Sequence, residues 1–307
     1  MYDFLIIGGG PAAIAAGVYS ARKKLKTILI TEEWGGQSVV SAGIRNWIGI
    51  KNISGLDFAK SLEGHIRAHE DVEIIIPDKV INVEKANDHF KISTEKGNVY
   101  EAKTIFIGSG ARRKKIGMPG EKEFDGRGVA YCSTCDAPIF KDKDTAVIGG
   151  GNAGLEAVMD LLPYARSIKL LEYGDALKGD PVTQEKVKAS DKVEIILNAQ
   201  TLEIFGGKFV EGLKYKNRTT GEEKMLELKG VFVEIGSVPN SDMVKDIVST
   251  NKFGEIIVDH KNSRTSLIGI WAGGDVTDDP FKQNNISAGD GVKAALDAYS
   301  YLTLGNN

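Results

Sequence analysis

Cys132 and Cys135 are the only cysteines in the chain, spaced Cys-Ser-Thr-Cys and followed directly by Asp136. A C-x-x-C spacing can close a small disulfide ring, and such motifs often hold a thiol below the free pKa of about 8.5. The pair is therefore a candidate two-electron store. Half of a zinc site and a pair of inert buried thiols are the competing readings. A tetrahedral structural zinc site needs four ligands. No second cysteine pair exists, and His65, His69, His89 and His260 are scattered away from the motif. No metal centre is expected, and the neighbouring sequence must decide between the other two readings.

The elements around the motif read as nucleotide-binding units. Residues 3–7 are an apolar run that breaks at Gly8-Gly9-Gly10-Pro11-Ala12-Ala13 and resumes as an alanine-rich stretch to Tyr19. That is strand, tight turn and helix, and the turn fits G-x-G-x-x-A on Gly8, Gly10 and Ala13. The first glycine permits the turn, the second lets backbone approach a pyrophosphate, and the small third residue lets helix pack on strand. The helix N-terminus then offers free N–H groups and the positive end of its dipole to phosphate. Residues 26–30 form the next strand, followed by Glu32 and Glu33. One of these glutamates can bond a ribose hydroxyl; the alternative is that both are solvated.

The pattern recurs. Residues 145–148 lead into Gly149-Gly150-Gly151-Asn152-Ala153-Gly154, and residues 168–172 form the next strand, ending on Glu172. One such turn is weak support, but two copies, each after a strand and before a helix, are strong. The expected class is α/β with two Rossmann-like nucleotide-binding domains. Further strands are expected at 72–77, 80–83, 104–107, 193–197, 202–205, 210–215, 230–236, 256–259 and 268–275. A hairpin of 90–94 and 99–102 turns near 96–98, and a closing helix runs from about 287 to 304. The glycines at 108 and 110 form another turn, expected near the first cofactor.

Composition narrows the function. The chain has 307 residues, 42% of them hydrophobic, enough for about two globular domains. A net charge of −3 and a pI near 5.9 leave no electrostatic footprint for nucleic acid or an anionic membrane. The short basic run Arg112-Arg113-Lys114-Lys115 reads as a solvated connection. The start lacks the basic region of a secretory signal, and no apolar stretch of about 18 residues follows. A cytoplasmic protein is expected, and a reducing cytoplasm favours a working dithiol over a structural disulfide.

With these pieces in order, the chain resembles the low-molecular-weight thioredoxin reductase family, and is similar to the flavoprotein part of bacterial alkyl hydroperoxide reductase. The resemblance spans nearly the whole length. It rests on the opening GGGPAA, Gly35-Gly36-Gln37, Asn46-Trp47, the Cys132–Asp136 segment, Gly149 to Gly154 and Ala272-Gly273-Gly274-Asp275. It implies an FAD-binding domain at 1–112 and 241–307, with a nicotinamide-binding domain at 113–240 inserted into it and carrying the C-x-x-C. By the same resemblance Gly8, Gly10 and Ala13 hold the FAD pyrophosphate, next to the ribose acceptor Glu32 and the Gly110 turn expected from the residues themselves. Gly36, Gln37 and Asn46 lie along the flavin, Asp275 bonds the ribityl chain, and Gln283 matches a family segment near the flavin from which Lys282 and Asn284 depart.

The resemblance also implies a relay from a nicotinamide through FAD to the Cys132–Cys135 disulfide, and from the dithiol to a disulfide on another protein. Cys135 is the cysteine nearer the flavin, Cys132 attacks the partner, and Asp136 is a candidate acid for the leaving thiolate. In this family the inserted domain rotates between two arrangements, which places hinges near 111–115 and 238–241. A homodimer is implied as well.

The donor segment departs from the family. Where NADPH-dependent members carry His-Arg-Arg and a further Arg, this chain has Glu172-Tyr173-Gly174-Asp175-Ala176-Leu177-Lys178. A 2′-phosphate needs cationic, preferably bidentate partners. An acidic residue about 20 positions after the glycine turn instead bonds a free 2′-hydroxyl. With Gly149, Gly151, Asn152, Ala153 and Gly154 present, NADH is expected over NADPH. Since the chain opens almost on the flavin strand, a separate thioredoxin or glutaredoxin-like protein is the expected acceptor. The alternatives are an NADH-dependent peroxiredoxin reductase component, a member with a non-nicotinamide donor, and a non-catalytic flavin redox sensor.

Overall fold

Alternate residues of the first strand, β1 (Tyr2–Ile7), enter two different cores. Phe4 and Ile6 pack under α1 (Pro11–Arg22), whereas Leu5 and Ile7 pack against Ile28, Ile105 and Val244 on the opposite face. A strand buried on both faces is what a parallel sheet covered on each side requires. The computed structural model describes residues 1–41 and 43–305. Its internal contacts divide the chain into one unit of Met1–Val39, Ile44–Arg112 and Val238–Asn307 and a second of Val40–Gly43 and Arg113–Ser237.

In the first unit β1 and α1 lead to β2 (Thr27–Ile30), α2 (Gly55–Arg67), β3 (Val72–Ile75), β4 (Val80–Ala86), β5 (His89–Thr94) and β6 (Val99–Ile107). The sheet order is β3-β2-β1-β6-β5-β4, parallel from β3 to β6 and antiparallel beyond. The two separate strands expected at 99–102 and 104–107 are one continuous strand. Its first half pairs antiparallel with β5, and its second half runs parallel to β1.

Helix α2 lies outside the elements expected from sequence, although its signal is present. Ser54 caps it by accepting the Asp57 N–H at 3.1 Å, and Phe58, Leu62 and Ile66 form its buried stripe.

The chain crosses on β7 (Ala111–Arg113), and the second unit opens with β8 (Val129–Ala130) and the one-turn helix α3 (Ser133–Asp136). It continues through β9 (Asp144–Ile148), α4 (Asn152–Leu161), β10 (Ser167–Leu171), α5 (Pro181–Lys188) and β11 (Val193–Ile196). Next come β12 (Ala199–Gly206), β13 (Val210–Asn217), β14 (Glu223–Glu227), β15 (Gly230–Val233) and β16 (Ser237–Pro239). Its main sheet is β11-β10-β9-β15-β8, all parallel, and β12-β13-β14 form a separate antiparallel sheet. Ala146 and Ile148 face one core of this unit and Val147 the other. The two chain crossings, β7 and β16, pair as a two-stranded ribbon. The second unit ends at Ser237.

The returning chain adds β17 (Ile270–Ala272) beside β6 and ends in α6 (Asn284–Leu304). Residues 256–259 make isolated bridges rather than the expected strand. Among the described residues no helix is long and apolar enough to cross a membrane, and no cluster of His, Cys, Asp and Glu could hold a metal ion.

Candidate redox and nucleotide sites

Cys132 and Cys135 are joined as a disulfide, with Cα atoms 5.3 Å apart. Cys132 is the N-cap of α3 and Cys135 lies within its single turn, a geometry in which residues three apart share a face. Asp136 closes the turn by donating its N–H to the Cys132 carbonyl at 3.0 Å. Burial without a cationic partner pushes its carboxyl up to about 6. A side chain that titrates near neutrality beside a disulfide can hold a proton for a leaving thiolate.

Three residues that sequence reasoning missed hold this motif. The Ser133 and Thr134 hydroxyls both donate to Asp160 Oδ2, each at 2.9 Å, so both residues between the cysteines are tied to α4. Glu234, just past β15, is buried, and the Ser133 backbone N–H acts to lower its pKa. Its burial pushes the carboxyl up to about 7, against the opposing pull of the Arg113 guanidinium 4.0 Å away. On the approach to Cys132, Tyr131 donates its hydroxyl to the buried Glu121 at 3.1 Å. That carboxylate also accepts the Ile116 and Gly117 N–H groups at 3.1 and 2.6 Å. None of these residues has a local motif; Asp160 and Glu234 meet the C-x-x-C from far along the chain, and Glu121 closes a local loop onto Tyr131.

The same unit carries the second glycine turn, which lines a cavity of about 530 Å³. Gly149 has φ +120°, and a Cβ there would lie 2.4 Å from the Glu234 carbonyl oxygen, so only glycine fits. A Cβ on Gly154 would lie 1.7 Å from the Gly149 carbonyl oxygen. At Gly151 nothing lies within 4 Å of the place a Cβ would take, and no side chain caps the first turn of α4. That is an opening of the kind a pyrophosphate needs. Asn152 and Ala153 begin the helix at this edge.

Glu172 is buried beneath the turn. Its Oε2 accepts the Gly150 N–H at 2.7 Å and its Oε1 the Gly174 N–H at 2.8 Å, with Lys178 Nζ 3.7 Å away. The expected ribose acceptor is thus also a brace for the loop. Tyr173 follows it on the cavity wall, with the Arg218 guanidinium stacked 3.9 Å over its ring.

The first unit repeats this construction. Gly8 has φ +124°, and its Cβ would lie 2.2 Å from the Gly108 carbonyl oxygen, while Gly10 opens onto free space. Ala13 takes the tight third place, since a Cβ on Gly108 would lie 3.1 Å from its nitrogen. Gly36 faces Gly10, and Gly110, at φ +66°, also opens onto free space. These positions form a cradle that suits a second dinucleotide.

The residues expected along a flavin divide. Asn46 and Gln283 meet, with Nδ2 donating to Oε1 at 3.1 Å, and Asn285 secures the pair by donating to the Asn46 carbonyl at 2.6 Å. Asp275 sits in the short helical turn after β17, partly buried. Gln37 and Glu32 are exposed, and Glu32 pairs with Lys79 at 3.4 Å. Lys282 pairs with Glu255 at 3.0 Å, and Asn284 accepts from Ser38 at 3.0 Å, so both departures have partners of their own.

The comparisons with known proteins agree with this construction. A family model described as pyridine nucleotide-disulphide oxidoreductase matches residues 2–295. The chain is 42% identical over 301 residues to an alkyl hydroperoxide reductase component of Staphylococcus aureus strain MRSA252, covering 98% of this chain and 59% of that protein. It is 44% identical to a Bacillus subtilis protein named NADH dehydrogenase, covering 98% of this chain and 58% of the relative. The chain therefore spans less than two thirds of these curated relatives. Among solved structures, thioredoxin reductase from Streptococcus pyogenes superposes with a TM-score of 0.91 at 36% identity, covering 98% of both chains. With two glycine turns, a C-x-x-C disulfide and a family match over nearly its full length, the chain belongs to the pyridine nucleotide-disulphide oxidoreductases and shares the thioredoxin reductase fold.

Proposed function

We propose that this chain is a flavin-dependent disulfide reductase that draws on NADH and passes two electrons through Cys132 and Cys135 to a thioredoxin-like protein disulfide. The observation that carries this reading is the placement of the disulfide in the same folded unit as an open glycine turn, braced by a carboxylate where a 2′-phosphate reader would need arginines. When bound, FAD supplies the two-electron chemistry that links a nicotinamide to a disulfide. Gly8, Gly10 and the first turn of α1 would hold its pyrophosphate, with Asn46, Gln283 and Asp275 along the ring and ribityl chain. The turn from Gly149 to Gly154 would hold the nicotinamide dinucleotide.

The protein's own groups carry the exchange with the partner. Cys132, as thiolate, attacks one sulfur of the partner disulfide; a mixed disulfide forms and the other partner sulfur leaves as thiolate. Cys135 then attacks the Cys132 sulfur, the intramolecular disulfide closes, and the partner departs as a dithiol. Two electrons and two protons have moved to the partner, and Asp136 delivers one of those protons. The absence of the arginine cluster supports NADH, as does the 44% identical relative named NADH dehydrogenase.

A second reading is that the acceptor is a peroxiredoxin system, favoured by the Staphylococcus aureus relatives named for alkyl hydroperoxide reductase. Anaerobic mixing of the flavin-loaded protein with each nicotinamide tests the donor: rapid bleaching of flavin absorbance by NADH is expected, and bleaching by NADPH alone would refute the choice. Coupled turnover with a thioredoxin and with a peroxiredoxin separates the two acceptors. Loss of either turnover in Cys135→Ser, with flavin reduction retained, is expected of an enzyme and not of a sensor.

A further inference from the structure

Helix α4 performs two tasks. Its first turn follows Gly151 at the open edge of the nucleotide cavity, and Asp160, at its far end, takes the hydroxyls of Ser133 and Thr134 on one oxygen at 2.9 Å each. A carboxylate oxygen has two lone pairs, and here both intervening residues of the C-x-x-C occupy the same acceptor. Ser133 is buried and Thr134 exposed, so the clamp holds the turn from its inner and outer sides. Because these bonds involve no sulfur, opening the disulfide does not remove them.

We propose that Asp160 is a positioning residue that makes the dithiol more reducing. Two effects act in the same direction. Fixing Ser133 and Thr134 keeps the cysteines one helical turn apart after reduction, so less chain entropy is lost when the S–S bond closes. A negative charge on the residue that clamps the turn disfavours a thiolate at either sulfur. A dithiol whose reduced form is less stabilised is a stronger reductant. The inference rests on the reading of the pair as a working dithiol, and α4 thereby joins the nucleotide edge to the redox turn through one rigid element.

The test is the midpoint potential of the Cys132–Cys135 pair in the flavin-loaded protein. It is measured in glutathione buffers, with free thiols trapped by an alkylating reagent and counted by mass. Oxidised glutathione takes two electrons and two protons as the two S–H bonds break and the Cys132–Cys135 bond forms, and its own S–S bond opens into two thiols. Asp160→Ala is expected to shift the equilibrium about tenfold toward the dithiol, which is 29.6 mV for a two-electron couple. Asp160→Asn, which keeps the acceptor oxygen without the charge, is expected to lie between Ala and wild type. It should also move the pH midpoint of thiol alkylation downward. Thr134→Val removes one hydroxyl at an exposed position and is expected to shift the potential in the same direction as Asp160→Ala, independently of any folding defect in the latter. Unchanged potentials in Asp160→Ala and Thr134→Val would overturn the inference while leaving the dithiol reading intact. A wild-type pair that does not titrate reversibly would overturn both.

Discussion

Glu172 and Gly150 meet through a 2.7 Å hydrogen bond from the glycine N–H to the carboxylate, and the other oxygen of the same carboxylate holds Gly174. One buried side chain thus ties the middle of the dinucleotide turn to the loop after β10. On the proposed donor reading its charge stands where the 2′-substituent of a bound dinucleotide would lie, so the brace and the donor filter are one group.

For Glu172→Gln, one acceptor oxygen remains and the amide places an N–H against a second N–H. The Michaelis constant for NADH is expected to rise about tenfold, equivalent to about 1.4 kcal/mol. The preference for NADH over NADPH is expected to narrow, because the repelling charge is gone. Steady-state kinetics with both donors measure the two effects together; an unchanged ratio would show that the carboxylate plays no part in selecting the donor.

The glycines of the turn have separable duties. Gly149→Ala places a Cβ 2.4 Å from the Glu234 carbonyl oxygen at φ +120°, and a strained backbone of this kind costs about 1–3 kcal/mol. Gly151→Ala meets no protein atom within 4 Å. Thermal unfolding is expected to fall for the first variant and stay at the wild-type value for the second. Donor titration is expected to weaken for the second.

Glu234 links stability to pH. Its carboxyl is raised from 4.5 to about 7 in the folded protein. A raised folded value means that the contribution is full below the unfolded pKa, and is lost as pH rises through the folded one. The loss is at most about 3 kcal/mol at 1.36 kcal/mol per pKa unit. Glu234→Gln is expected to flatten the denaturant midpoint between pH 5 and 8 and to exceed wild type at pH 8. A parallel pH dependence in both proteins would remove Glu234 as its source.

Asp136→Asn removes the acid beside the disulfide. With the carboxyl at about 6, the protonated form dominates below that pH, so wild-type exchange with a protein disulfide is expected to slow above it. The Asn variant is expected to lose this limb and about a hundredfold in rate. Reduction of bound flavin by the donor should be unchanged; stopped-flow absorbance distinguishes the two steps.

Much of the fold was legible because its signals are local. The runs before Gly8 and Gly149 and the small residues after them announce strand, turn and helix within a dozen positions, and α1 and α4 begin at Pro11 and Asn152 as that pattern requires. Errors fell where pairing, not periodicity, sets the element. Strand β6 continues through Lys103 because it changes partner from β5 to β1, and residues 256–259 lack a partner strand to extend along.

The sequence by itself determined the family resemblance, the two glycine turns and the candidate dithiol, since each is a short run whose residue types suffice for the geometry. Only the tertiary structure decided what supports them. Asp160 reaches Ser133 across 27 positions, Glu172 turns back 22 positions to Gly150, and Asn46 finds Gln283 across 237. Such pairs are set by how strands and helices stack, and no spacing along the chain encodes which side chain will lie opposite which.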